Sequence, residues 1–305
     1  MCYNEVILFG KDSPMPYLYL ALSLCFLASG SIFGGYYNRR CEGRRGTASL
    51  YNLILMCSAL LGWVILFLTD PSFDVGVIPY AVGFAATFTL CQIGLINALR
   101  TGPVALTSLL LQLSLIGVTA WGFFFWSAPF TLTVGIGLAL VVISLWLCLY
   151  SGKQEGESKA HISLKWFIFA MMAFVGNAGC SIIQRTQQMK YEGKHGNFLM
   201  VVAILLSAVF CLVDYLRSDR ADTRVILKTA APFPIAAGIC NMLLNLFVIL
   251  LATSPLSPSL IYPVIAVGGL AVTSIFSLVA FKEKLRWWQW AGVAVGAVAV
   301  ALLSL

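Results

Sequence analysis

The chain has 305 residues, of which 60% are hydrophobic and only 10% charged, against roughly 25% charged in soluble domains. This composition excludes an ordinary soluble enzyme and is that of an integral membrane protein, since ten spans of ~20 residues would use about two thirds of the length and leave no soluble domain over. The formal charge of +7 is spread in short basic clusters between apolar runs, as topology signals are, so no nucleic-acid partner is expected.

Residues 1–15 carry a single lysine and no basic n-region, and the apolar run that follows is too long for a signal h-region, so it reads as a retained helix. Ten helices are expected, near Pro16–Tyr37, Thr47–Leu68, Val75–Leu99, Pro103–Trp126, Phe130–Leu149, Leu164–Arg185, Phe198–Tyr215, Ile226–Leu251, Leu256–Phe281 and Trp287–Leu305. The hydrophilic stretch from Tyr150 to Ser163 falls between the fifth and the sixth. The expected organisation is therefore an N-terminal extension (1–15), a first five-helix repeat (16–150), a linker (151–163) and a second five-helix repeat (164–305).

Two sequence matches support the repeat. Glu42-Gly43-Arg44-Arg45-Gly46 after helix one resembles Glu192-Gly193-Lys194-His195-Gly196 after helix six, 150 residues later. Thr101-Gly102-Pro103 before helix four resembles Thr253-Ser254-Pro255 before helix nine, 152 residues later. Because five is odd, the second half must enter the membrane inverted relative to the first. The fold class expected is thus an all-α membrane protein of ten transmembrane helices, built as two inverted-topology five-helix repeats.

Loops after the odd-numbered helices hold fifteen of the nineteen Lys and Arg residues, including Arg39, Arg40, Arg44 and Arg45 after helix one and Lys282, Lys284 and Arg286 after helix nine. The other side holds Lys11, Arg185, Lys190 and Lys194. The positive-inside rule then puts the Arg39–Arg45 loop in the cytoplasm and both termini outside.

The nine cysteines are scattered, mostly within apolar runs, with no CxxC or Cys/His spacing, and read as packing thiols. His161 and His195 lie in loops on opposite sides, and all twelve acids lie in termini, loops or end turns. With no intramembrane acid–base pair and no nucleophile beside a base, no catalytic residue, metal or cofactor is expected, and the chain is not read as an enzyme.

What the membrane-embedded segments do contain is amides, hydroxyls and aromatic rings. Asn177, Ser181 and Gln184 recur at i, i+4 and i+7 on one face of helix six, with Ser29, Phe33 and Tyr36 at the related positions of helix one. Asn241 and Asn245 share a face of helix eight, and Gln92, Gln112 and Tyr262 lie on helices three, four and nine. Singly, each could simply bond a neighbouring helix. Together, Ser29, Tyr36, Gln92, Gln112, Asn177, Ser181, Gln184, Asn241, Asn245 and Tyr262 form a candidate substrate-binding set that suits a neutral, zwitterionic or hydroxyl-rich solute. An anion would fit only if Arg100 or Arg185 faced inward. Gly30-xxx-Gly34 and Gly292-xxx-Gly296 mark close helix packing within a bundle or between two copies, so a monomer or a homodimer is expected.

The final stretch carries Pro255, Pro258 and Pro263 at the start of one apolar run, then Gly268-Gly269, a turn containing Phe281, Glu283 and Leu285, and Trp287, Trp288, Gln289 and Trp290 before the last helix. The prolines remove backbone donors and disfavour helical geometry just before them, and with Pro103 they are candidate hinges. This pattern resembles the EamA-like branch of the drug/metabolite transporter superfamily. The resemblance implies a central cavity lined by helices one, three, four, six, eight and nine, and a multi-pass transporter in the bacterial cytoplasmic membrane. Two departures accompany it. The turn Ser127-Ala128-Pro129 lacks the acidic residue found at Glu283, and members usually keep both termini in the cytoplasm. The related small multidrug exporters depend on a glutamate in their first helix, which Pro16–Tyr37 lacks. The expected function is secondary transport of a small polar or zwitterionic metabolite by alternating access, with a non-transporting scaffold or a membrane enzyme as the alternative.

Overall fold

The computed structural model describes residues 15–114, 131–149, 163–252 and 287–303, with isolated positions between these segments. Helix nine of the expected set, Tyr262, Pro255, Pro258, Pro263 and the turn at Glu283 lie outside the described residues. The helices are α1 (Met15–Arg40), α2 (Thr47–Thr69), α3 (Ile78–Thr101), α4 (Val104–Gln112), α5 (Leu132–Leu149), α6 (Leu164–Lys190), α7 (Gly196–Arg217), α8 (Thr223–Ala230), α9 (Pro232–Ala252) and α10 (Trp287–Leu303), with no strand among the described residues. Among the described residues six apolar stretches, those of α1, α2, α3, α6, α7 and α9, are long enough to cross a membrane, as expected of a multi-pass α-helical membrane protein. Leu61, Leu68, Val209 and Phe210 are more than half exposed, an arrangement that fits hydrocarbon and not water.

Two boundaries differ from the sequence expectation for identifiable reasons. The segment expected as one helix, Ile226–Leu251, is two, α8 and α9, separated at Ala231. Pro232 has no N–H to continue α8 but suits the first position of a new helix. α4 stops at Gln112 and turns at Leu113–Ser114, inside the helix expected to run to Trp126, and the described positions beyond the turn, Val118, Trp121, Gly122, Phe124 and Phe125, are again helical.

Helix ends are set by local chemistry. Ser163 caps α6, its Oγ accepting from Trp166 N at 3.1 Å. Asp74 accepts from Gly76 N at 2.7 Å and opens the 3₁₀ turn Val75–Val77 that leads into α3. The turns after α1 and α6 begin alike and end one residue apart, the left-handed residue before the next helix being Gly46 in one and His195 in the other. Cys41 N donates to Tyr37 O and Tyr191 N to Gln187 O, both at 2.9 Å. Gly43 and Gly193 have φ of +77° and +79°, the left-handed region glycine enters without strain. Tyr37 Oη donates to Thr47 O and Gln187 Nε2 to Lys194 O, so each side chain closes its own turn.

The most extensive contacts pair α3 with α6, α5 with α10, α1 with α9 and α2 with α7, while α2 also meets α9 and α3 meets α7. Small residues make the α3–α6 seam: Gly94 abuts the backbone of Phe169 and Ala173, and Gly176 that of Thr87 and Cys91. The buried core between α2, α3 and α7 is filled by Met56, Trp63, Phe84, Met200 and Ile204. Gly34 packs on Leu99 and Tyr51, and Gly292 O accepts from Ser144 Oγ at 2.6 Å, so both of these glycines serve contacts within the bundle.

The α1–α2 turn docks on the α7–α8 connection. Arg45 N donates to Asp222 Oδ2 at 3.0 Å, Arg45 Nη1 meets Asp219 Oδ2 at 3.1 Å, and Arg44 Nη1 donates to Thr229 Oγ1 at 2.9 Å. At the opposite end Gly76, between α2 and α3, lies against Tyr191, between α6 and α7. The Asp219 carboxyl is held below the ordinary aspartate range, first by the N–H of Ala221 and then by Arg45. Because the folded value is depressed, its contribution to docking is present above the unfolded value and lost as pH falls through the folded one. Proximity labelling between this turn and connection should therefore be constant from neutral pH down through pH ~4 and decline only below it. A decline starting above pH 5 would place the sensitive group elsewhere.

Candidate functional site

Between these helices lies a cavity of about 170 Å³, smaller than the roughly 300–1,000 Å³ of drug-sized pockets. Its wall takes Phe26 and Ser31 from α1, Tyr51 and Leu55 from α2, Phe84, Phe88 and Gln92 from α3, and Leu111 and Ser114 from the end of α4. The second half contributes Asn177, Ser181 and Gln184 from α6, Asn241 and Asn245 from α9, and Ile265. Both sides of the 151–163 linker therefore build it.

Six residues of the candidate set come together here: Gln92, Asn177, Ser181, Gln184, Asn241 and Asn245. Ser29 and Tyr36 do not line it. Ser29 Oγ donates to Phe26 O within its own helix, and Tyr36 stacks on Phe233 and meets Phe276 edge-on. The reason is register. The matched turns relate α1 to α6 by 150 residues, which pairs Ser31 with Ser181, and both line the cavity. Pairing Ser29 with Asn177 uses 148, and two residues on a helix are 200° of rotation. Gln112 ends α4, and its side chain lies outside the described residues. Pro103 precedes α4, its carbonyl accepting from Thr107 N at 3.1 Å and Thr107 Oγ1 at 2.9 Å, away from the cavity.

Ser31, Ser114 and the ring-bearing wall of Phe26, Tyr51, Phe84 and Phe88 were not in the sequence-derived set. The 150-residue offset would have found Ser31. Ser114 had no comparable signal, because it reaches the cavity through the turn that ends α4.

Hydrogen bonds orient part of this lining. Asn177 Nδ2 donates to Ser114 Oγ at 2.7 Å and to Leu111 O at 3.4 Å, linking α6 to the end of α4. Ser181 Oγ donates to Asn177 O at 3.1 Å. Asn245 Nδ2 donates to Asn241 O at 2.9 Å and to its Oδ1 at 3.3 Å. Among the described residues no Asp, Glu, Lys, Arg or His lines the cavity, and neither Arg100 nor Arg185 reaches it. Nor do three His, Cys, Asp or Glu side chains gather where they could hold a metal ion.

Asn177 thus faces the cavity and ties two helices at once. Asn177→Ala should lower thermal stability, by about 1 kcal/mol for the bond to Ser114, and weaken a ligand that contacts its amide roughly 2- to 10-fold. Thermal unfolding and equilibrium binding on the one variant separate these effects, and a stability loss with unaltered affinity would remove Asn177 from the binding surface.

No family model matches the sequence, and no curated protein matches it. A solved structure described only as the crystal structure of a protein superposes on it with a TM-score of 0.61 at 12% identity, covering 95% of this chain and 96% of that one. The likeness is one of fold, and it extends over nearly the whole of both chains.

Proposed function

We propose that this chain is a secondary transporter of the EamA-like drug/metabolite type, moving a small polar metabolite by alternating access of two inverted five-helix repeats. The observation that carries the reading is the uncharged, amide-lined cavity built by helices of both halves. The packing supports the repeat. Exchanging α1 with α6, α2 with α7, α3 with α9 and α5 with α10 turns the α1–α9 contact into α6–α3 and α2–α9 into α7–α3, and returns α2–α7 and α5–α10 to themselves. The like φ of Gly43 and Gly193, at matched places in their turns, fits the same symmetry. In such a protein one repeat rocks against the other around a fixed site, which a cavity shared by both halves allows.

On this reading the chain lies in the bacterial cytoplasmic membrane, and the gathering of Lys and Arg after the odd-numbered helices supports a cytoplasmic Arg39–Arg45 loop. Purified protein in proteoliposomes, assayed for uptake of a panel of labelled neutral, zwitterionic and anionic metabolites, tests the reading. Saturable flux of at least one neutral or zwitterionic member is expected. No flux above protein-free liposomes across the panel would favour a non-transporting membrane protein.

A further inference from the structure

The hydrogen-bonding groups left unengaged around the cavity narrow the ligand. Asn177 directs its Nδ2 to Ser114 and Leu111, which leaves its Oδ1 to accept. Asn245 directs its Nδ2 to Asn241, which leaves Asn245 Oδ1 to accept and Asn241 Nδ2 to donate. Gln184 is only 6% exposed, and its Nε2 is buried without a hydrogen-bond partner. Gln92 is equally buried and makes no hydrogen bond among the described residues. Buried amides in a bundle almost always find partners, so the unpartnered Gln184 and Gln92, beside the open donors and acceptors of the half-buried Asn177, Asn241 and Asn245, point to an occupant that completes them.

The rest of the wall restricts that occupant. An ion or a zwitterion placed here would lose its water with no counter-charge to replace it. Phe26, Tyr51, Phe84 and Phe88 make part of the wall aromatic, the rings of Phe84 and Phe88 lying 5.7 Å apart at 28°, and a planar ring packs on such a wall better than a saturated chain does. A sugar carries hydroxyls around its whole rim, more than the few amide groups left open here can match, and an alkane would match the rings but not the amides. Resting on the transport reading above, we propose that the cavity takes a neutral, planar heterocycle of one or two rings whose edge carries adjacent donor and acceptor groups, such as a lactam or a cyclic urea. Gln184 and Asn241 donate to its carbonyls, Asn177 and Asn245 accept from its N–H groups, and the aromatic wall holds its face.

The test uses the purified full-length protein with uracil and hypoxanthine as probes, 1,3-dimethyluracil as the ring without N–H donors, and phenylalanine as the zwitterion with a ring. Equilibrium binding and thermal stabilisation are read alongside proteoliposome flux. Uracil or hypoxanthine should bind saturably, with dimethyluracil and phenylalanine each at least roughly 10-fold weaker, the cost of unpaired buried groups. Gln184→Leu should weaken the heterocycle roughly 3- to 10-fold while leaving the melting temperature of the free protein unchanged or raised, since no internal bond is lost. Binding of the heterocycle without flux would uphold the ligand class and overturn the transport reading. Flux of phenylalanine or another zwitterion, with no saturable binding of either heterocycle, would overturn the ligand class and uphold transport. Neither binding nor flux of any probe would overturn the ligand class, and the transport reading would then fall only if the whole metabolite panel also shows no flux.

Discussion

Gly176→Leu should prevent the protein from being recovered as a monodisperse, folded species, and Gly176→Ala should already lower its stability by about 1–3 kcal/mol. A Cβ at Gly176 would lie 2.6 Å from both Cys91 N and Thr87 O, and 2.8 Å from Cys91 Cα. These are backbone atoms of a packed helix, so relief requires α3 and α6 to separate as bodies. Their separation would also undo the neighbouring approach of Gly94 to Ala173 N, where a Cβ would sit at 2.5 Å. Between helices in lipid there is little hydrophobic drive to offset this, because association rests on close packing and interhelical bonds. Gly30 supplies the control. A Cβ there meets nothing within 4 Å, so Gly30→Ala should be neutral or gain up to about 1 kcal/mol from helix propensity. Melting temperatures of the three variants in one detergent check the ordering, and equal melting of Gly30→Ala and Gly176→Ala would mean the seam has slack that its geometry does not reveal.

The seam also indicates what was legible in the sequence. Apolar run lengths located α2, α6 and α7 to within a few residues, because hydrocarbon thickness imposes length directly. The Glu42–Gly46 and Glu192–Gly196 match was legible because turns need glycine at fixed positive φ, and Gly43 and Gly193 do share that conformation, whereas the left-handed place of Gly46 falls to His195 and not to Gly196. Rotation about a helix axis was not legible to the same degree. Polar spacing on α6 picked out Asn177, Ser181 and Gln184 together, whereas α1 was read two residues out of register, which selected Ser29 over Ser31. The break at Ala231 was open to reading from Pro232 and Pro234, but the apolar character of Ile226 and Leu227 hid it. α8 is short, with Ile226 buried and Leu227 exposed, and hydrophobicity alone cannot distinguish such a helix from the start of a span. The aromatic wall left no mark, since a phenylalanine facing lipid and one facing a cavity look alike in sequence.

On the transport reading proposed above, covalently joining the α1–α2 turn to the α7–α8 connection should stop transport. The contact joins the two halves through Arg44, Arg45, Asp219, Asp222 and Thr229. It has the strength expected of something that opens. The Arg45 side chain is 76% exposed and that of Asp219 44%, and exposed ion pairs contribute little because water and salt compete for both partners. The backbone nevertheless comes close, with Gly46 held at a φ of +66° against the carbonyl of Asp219. In alternating access this end of the bundle must separate once per cycle to admit or release substrate, so a tether that is harmless to the folded state should be fatal to turnover. Arg45→Cys and Asp219→Cys, placed together in a background without the native cysteines, should transport when reduced, fall to the protein-free background when oxidised or bridged by a short bis-thiol reagent, and recover on reduction if the link is a disulfide. A substrate-independent readout comes from adding Ser31→Cys to the same background: once the link between positions 45 and 219 has been closed, labelling at position 31 from the cytoplasmic face should be slower than in the Ser31→Cys protein without the link. Complete cross-linking with undiminished flux and labelling would mean that this end stays shut throughout the cycle and that substrate passes elsewhere.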